Sequence, residues 1–166
     1  MKEISVSELQ LNPYWKIAKD WMLITAGTEG DGYNTMTASW GHLGSLWNKP
    51  TAICYVRPQR YTKEFIDWED YYTLCFFPEE FHKALGYLGT KSGRDEDKVA
   101  AVGLTPAFGD GFTYFAEAEL VLVCRTLYQA PLKEEFFRDK SVMDANYPGK
   151  DFHDLYIGGI EKVLIK

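Results

Sequence analysis

Apolar residues recur along the chain with a period near two in several short stretches, and with a helical period in only a few. Trp21–Thr28 (WMLITAGT) predicts a strand, and Glu29-Gly30-Asp31-Gly32 behind it is a strong turn signal. Thr35–Trp40 predicts a second strand, followed by a loop that contains Gly41 and Gly44. Thr51–Val56 (TAICYV) is a short β-branched run stopped by Pro58, and Tyr71–Phe77 (YYTLCFF) is a dense buried-strand pattern. In Thr113–Tyr128 the stretch AEAELVLV has helical propensity. Against that, Tyr114, Ala116, Ala118, Leu120, Leu122 and Cys124 alternate with Glu117 and Glu119, and Val121, Val123 and Thr126 add β-branched weight. One long strand is the better reading. Tyr156–Lys166, with Gly158-Gly159 near its start, alternates as a final strand.

The helical signals are short. Thr62 can cap a helix over TKEFIDWED, with Glu64 in the first turn, where negative charge is favoured. Pro78 suits the first turn of another helix, whose apolar stripe is Phe81, Ala84, Leu85 and Leu88. Ser92-x-x-Asp95 resembles a capping box opening a third helix, which Gly103 ends. The sum is five to seven strands with short helices between them and no strand–helix alternation. This predicts a mainly β fold, an antiparallel β-barrel with peripheral helices. No repeat, low-complexity tract or linker divides the chain, so residues 1–166 are expected to form a single domain.

Composition narrows the function classes. Charged residues are 25% and hydrophobic residues 46%, ordinary for a globular protein. A net charge of -6 gives no support to a nucleic-acid or anionic-membrane partner. No 18-residue apolar run suggests a membrane span, and the first residues have no uninterrupted apolar core like that of a signal peptide. Cys54, Cys75 and Cys124 are scattered, odd in number and without C-x-x-C, which fits buried thiols in a reducing cytoplasm. The aromatic share, 16%, suits a core and a dimer seam, and it also suits walls for a flat ligand.

The chemistry concentrates between residues 34 and 62. Asn34, Thr35, Thr37 and Ser39 offer donors and acceptors, while Met36, Ala38 and Trp40 stay apolar. A flat heteroaromatic ring needs that mixture, although a surface hairpin with exposed threonines would look the same. Arg57 and Arg60 bracket Pro58, with Tyr61 and Thr62 following, a pairing suited to phosphate. The competing reading pairs both arginines with acids such as Glu64 or Asp67. Lys91–Lys98 could bind an anion at its Ser92-Gly93 start or could be a solvated helix face. No histidine pair has metal-ligand spacing, and neither G-x-G-x-x-G after a strand nor a phosphate loop occurs. His82 reads as structural, whereas His153 is the best candidate for proton or hydride chemistry.

Six segments, taken in order, resemble the flavin reductase-like, FMN-binding split-barrel proteins, with the flavoredoxin branch nearest. They are Asn34–Gly41 (N-x-M-T-A-S-W-G), Leu46–Pro50 (L-W-N-K-P), Val56–Thr62 (V-R-P-x-R-Y-T), the strand end F-F-P-E, Ser92–Lys98 (S-G-R-D-x-D-K) and Gly103–Pro106 (G-L-T-P). The resemblance implies a split β-barrel of Greek-key topology, a homodimer, and flavin mononucleotide (FMN) held without a covalent bond. It implies that Asn34, Met36, Thr37, Ala38, Ser39 and Trp40 line the ring and ribityl chain. Val56, Arg57, Arg60, Tyr61 and Thr62 would surround the phosphate, and Ser92, Gly93 and Lys98 would complete the site. In related flavin reductases a histidine five residues before a glycine helps place nicotinamide; His153 and Gly158 keep that spacing, with Phe152 where the usual residue is Asp. The expected function is hydride or electron transfer from reduced nicotinamide to flavin or another acceptor. The alternative is an electron carrier with tightly held FMN, fed by a redox protein.

Overall fold

The computed structural model describes residues 1–166. Ten strands and five α-helices follow one another. In chain order they are β1 (Lys2–Ile4), α1 (Pro13–Ala18), β2 (Met22–Thr28), β3 (Gly32–Ala38), β4 (Gly41–Leu46), β5 (Lys49–Val56), α2 (Thr62–Trp68) and β6 (Tyr71–Phe76). Then come α3 (His82–Thr90), α4 (Lys98–Ala101), β7 (Pro106–Gly109), β8 (Phe112–Phe115), β9 (Leu120–Pro131), α5 (Lys140–Asn146) and β10 (Asp154–Ile165). The main sheet has the order β3-β2-β6-β9-β10-β5-β4, with β1 added on β10, and every pairing is antiparallel. Because β6 lies between β2 and β9 while the β4–β5 hairpin joins β10, the order is of Greek-key type and not a meander. No helix is long and apolar enough to cross a membrane.

The period-two pattern determines how this sheet closes. Met22, Ile24 and Ala26 of β2, Leu74 and Phe76 of β6, and Leu120 and Leu122 of β9 point into one core with Cys54, Val56, Tyr156 and Val163. Ala38 of β3 and Leu43 of β4, from the two ends of the strand order, pack against that same interior. The sheet therefore curls into a barrel, split where β3 and β4 share no hydrogen-bonded ladder. The alternate residues Leu23, Cys75, Val121 and Val123 face outward and are covered by Leu85 and Leu88 of α3, Val99 of α4 and the β7–β8 hairpin. Burial on both faces is why β2 and β6 read as continuous apolar runs.

Several sequence expectations are corrected. Gly41 and Gly44 lie in strand β4, not in a loop, and the hairpin turns at Trp47-Asn48 with φ of 54° and 57°. That two-residue turn matches strand twist but lacks the usual glycine, so its signal was weak. Thr113–Tyr128 is two strands, β8 and β9, parted by a turn in which Ala118 N donates to Phe115 O. Pro78 precedes a short 3₁₀ turn, Glu79–Phe81, and the α-helix starts at His82. The third helix starts at Lys98, capped by Asp97 and not by Ser92, with Gly103 at φ 72° just beyond it. The N-cap of α2 is Tyr61, and Thr62 is the first helical residue. The small strands β1 and β7 and helices α1 and α5 carried too little periodicity to be read.

Gly158 has a packing role. A Cβ there would stand 2.4 Å from Tyr72 Oη and 2.8 Å from Cys124 Cβ, inside a wholly buried part of β10. Gly158→Val should lower unfolding free energy in urea by at least ~1–3 kcal/mol. Gly44→Ala, with open space around it, should change it little.

Candidate functional site

The site forms where β3, the β5–α2 turn and the α3–α4 segment meet. Alternation along β3 turns Asn34 and Met36 to one side, while the Thr35 hydroxyl pairs with that of Thr25 at 2.8 Å and the Thr37 hydroxyl donates to Leu85 O. Asn34 is buried, and its Nδ2 donates to Thr62 Oγ1 at 2.8 Å. Gly93 lies directly against it: a Cβ at 93 would stand 2.1 Å from Asn34 Oδ1. Glycine is thus demanded at 93 by a close approach of backbone to carboxamide. Gly89, inside α3, likewise lets the helix approach Thr37 of β3.

Two cations meet the C-terminal end of α3. Lys98 is 4% exposed, and its Nζ donates to Leu88 O at 3.0 Å and to Lys91 O at 3.1 Å. Arg60 Nη1 donates to Gly89 O at 2.9 Å. The last carbonyls of a helix have no partners within it and carry the negative end of its dipole, which makes them good hosts for cations. Neither cation has a carboxylate partner within ion-pair distance. Burial, and then the Arg60 charge, pull the Lys98 ammonium down to about 8. One of its three N–H donors stays free of protein partners.

The acids suspected as arginine partners are engaged elsewhere. Glu64 pairs with Arg94, and Asp67 pairs with Lys63. Arg57 is held by Asp151 and by Asn146 O (2.9 Å), with its guanidinium 5.1 Å from the centre of the Tyr147 ring. The pairing alternative therefore holds for Arg57, with a different acid, and not for Arg60.

Two adjoining cavities collect nearly all the predicted residues. One of about 300 Å³ is bordered by Asn34, Met36, Arg57, Arg60, Tyr61, Thr62, Ser92, Gly93 and Lys98. A second of about 150 Å³ is bordered by Thr37, Ala38, Ser39, Trp40 and His153, and it shares Met36, Arg57 and Arg60 with the first. Val56 is the exception, since its side chain is wholly buried in the barrel core and borders neither cavity. Sequence reasoning missed Gln59 and Thr90 in the first cavity and Tyr55 in the second, while Lys91, the first residue of the candidate anion segment, borders the first. Gln59 sits beside residues that were singled out, and Tyr55 follows from the alternation of β5; Thr90 gave no signal.

His153 is buried, and its Nδ1 lies 2.8 Å from Tyr147 Oη. Its ring centre is 5.3 Å from that of Trp40. Burial, followed by the Arg57 charge, pulls the imidazole down to about 4, so it is neutral at pH 7. Burial raises the Tyr147 phenol, which stays protonated. His82 by contrast packs on Trp21 with ring centres 3.9 Å apart, away from both cavities. The three cysteines are free and buried, and burial pushes the Cys54 and Cys75 thiols up to about 12, outside the range of reactive thiolates.

Known proteins carry the same architecture. Flavoredoxin of Desulfovibrio vulgaris (Miyazaki F) superposes with a TM-score of 0.69 at 21% identity, over 100% of this chain and 77% of that one. The FMN-binding protein from Thermus thermophilus, with bound p-hydroxybenzaldehyde, gives 0.68 at 19%, over 100% and 82%. Nitrilotriacetate monooxygenase component B from Bacillus cereus gives 0.69 at 16%, over 99% and 81%. At these identities the likeness concerns the fold. No curated protein matches the chain closely enough to count as a relative. The family model described as "Flavin reductase like domain" matches residues 15–166, and the chain belongs to that family.

Proposed function

We propose that the protein binds FMN and passes hydride or electrons from a reduced nicotinamide to flavin or to a further acceptor. The observation that carries this reading is the Lys98 ammonium, buried beside Arg60 on a cavity wall with no carboxylate within ion-pair distance of either cation. A phosphate is the anion such a pair suits, because charged hydrogen bonds to it offset the cost of burying the cations. Arg60 and Lys98 hold the phosphate, with Tyr61, Thr62, Ser92 and the Gly93 backbone around it. Asn34, fixed by Thr62, and the stretch Met36–Trp40 lie along the ribityl chain and ring. Bound FMN supplies reversible acceptance of a hydride or of single electrons. Neutral His153, fixed by Tyr147 and flanked by Trp40, gives a planar wall against which a nicotinamide can stack. Leu46 and Trp47, exposed and adjacent at the β4–β5 hairpin, are where a homodimer contact is expected.

A second reading, an electron carrier without a nicotinamide site, is favoured by Phe152. It packs against Tyr147 and Phe137 and leaves no unengaged carboxylate beside His153, since Asp151 is held by Arg57 and Asp154 by Lys63.

Two measurements bear on these readings. An anion stabilises protonated Lys98, so FMN binding requires a proton to be taken up once the pH exceeds about 8. Affinity measured by fluorescence should hold below that pH and fall as it rises toward 10.5, the ordinary lysine value. Lys98→Met should bind more weakly and lose this dependence; an unchanged slope in the variant would count against Lys98. Mixed anaerobically with NADH or NADPH, the FMN-loaded protein should bleach its flavin absorption band rapidly. Reduction by dithionite alone would select the carrier.

A further inference from the structure

Beside the His153 cavity lies a larger groove of about 840 Å³, walled by α1, the β3–β4 junction and α5. Tyr14, Ile17, Trp40, Leu43, Phe137 and Val142 form most of its surface. Ser39, Trp40 and Tyr55 line both spaces, so the groove opens onto the cavity where His153 stands. No Lys, Arg, Asp or Glu lines it, although a quarter of the chain is charged. Its few polar groups include the Tyr55 hydroxyl, 3.3 Å from His42 Nδ1, and the Tyr147 hydroxyl engaged with His153.

We propose that this groove is the binding site for an uncharged, planar, apolar molecule of the quinone class. The volume falls within the ~300–1,000 Å³ of small-molecule sites, and an apolar wall with a few hydroxyls is their usual lining. Flat aromatic side chains on both walls favour a flat ligand. The absence of charge selects further. A nicotinamide dinucleotide carries an anionic pyrophosphate, and nothing in this wall can pair with it, so the occupant differs from the electron donor. A charged ligand would have to shed its hydration without a partner. The groove's value to the protein rests on the flavin reading, since it delivers its ligand next to the ring cavity.

The test uses FMN-loaded protein and two probes, 2-methyl-1,4-naphthoquinone and 1,4-naphthoquinone-2-sulfonate, followed by amide NMR shifts. The neutral quinone should shift Trp40, Leu43 and Val142, and the sulfonate should bind at least ~tenfold more weakly. Val142→Glu, a change at a half-exposed position of α5, should weaken the neutral quinone by a similar factor. Trp68→Glu, on exposed α2, should not. Equal affinity for both probes, shifts elsewhere, or no binding would overturn the proposal. So would a dimer that Val142→Glu dissociates while no quinone binds, because the groove would then hold a second copy. Flavin absorbance in the same samples separates the two levels. Loss of FMN on its own speaks against the flavin reading, whereas FMN retained without quinone binding speaks against the groove alone.

Discussion

The C-terminal end of α3 has carbonyls with no partner inside the helix, and the site depends on how they are satisfied. Lys98 takes Leu88 O and Lys91 O, and Arg60 takes Gly89 O. These contacts close the helix, fasten α4 and the β5–α2 turn to it, and leave two cations beside one cavity with no carboxylate within ion-pair distance. A side chain that only capped the helix would sit more cheaply in water, since burial lowers the Lys98 ammonium toward neutrality. Its position makes physical sense when an anion shares the cavity. The Asn34–Thr62 hydrogen bond and the close fit of Gly93 then set the opposite wall.

The barrel serves this arrangement by fixing where its strands end. Alternation on β2, β6 and β9 fills the interior with one set of residues and gives α3 and α4 a surface to cover with the other. Because Leu85 and Leu88 are anchored there, the helix end that receives Lys98 and Arg60 is placed by hydrophobic burial before any ligand arrives.

Much of this was legible in the sequence. The apolar runs of β2 and β6, the β-branched run of β5 and the alternation of β10 gave the barrel, and the arginine–threonine turn with Ser92–Lys98 gave the cavity wall. Val56 was misread because it is adjacent to Arg57, yet strand alternation sends it into the core. Arg57 and Arg60 looked equivalent, although only tertiary contacts could show that Asp151, 94 residues away, occupies the first and leaves the second free. Tyr147 gave no signal, because its contact with His153 depends on how α5 folds back over the strand ends. The Lys98 side chain was legible as a charge, but its burial was not, since that follows from the turn that brings α4 against α3.

Whether Arg60 and Lys98 hold a phosphate is tested most directly with riboflavin, which lacks one. The protein should bind FMN far more tightly than riboflavin. Arg60→Ala should narrow that gap by about tenfold or more, the ~1.5–3 kcal/mol of a charged hydrogen bond. Equal affinity for FMN and riboflavin in the unmodified protein would contradict that phosphate contact.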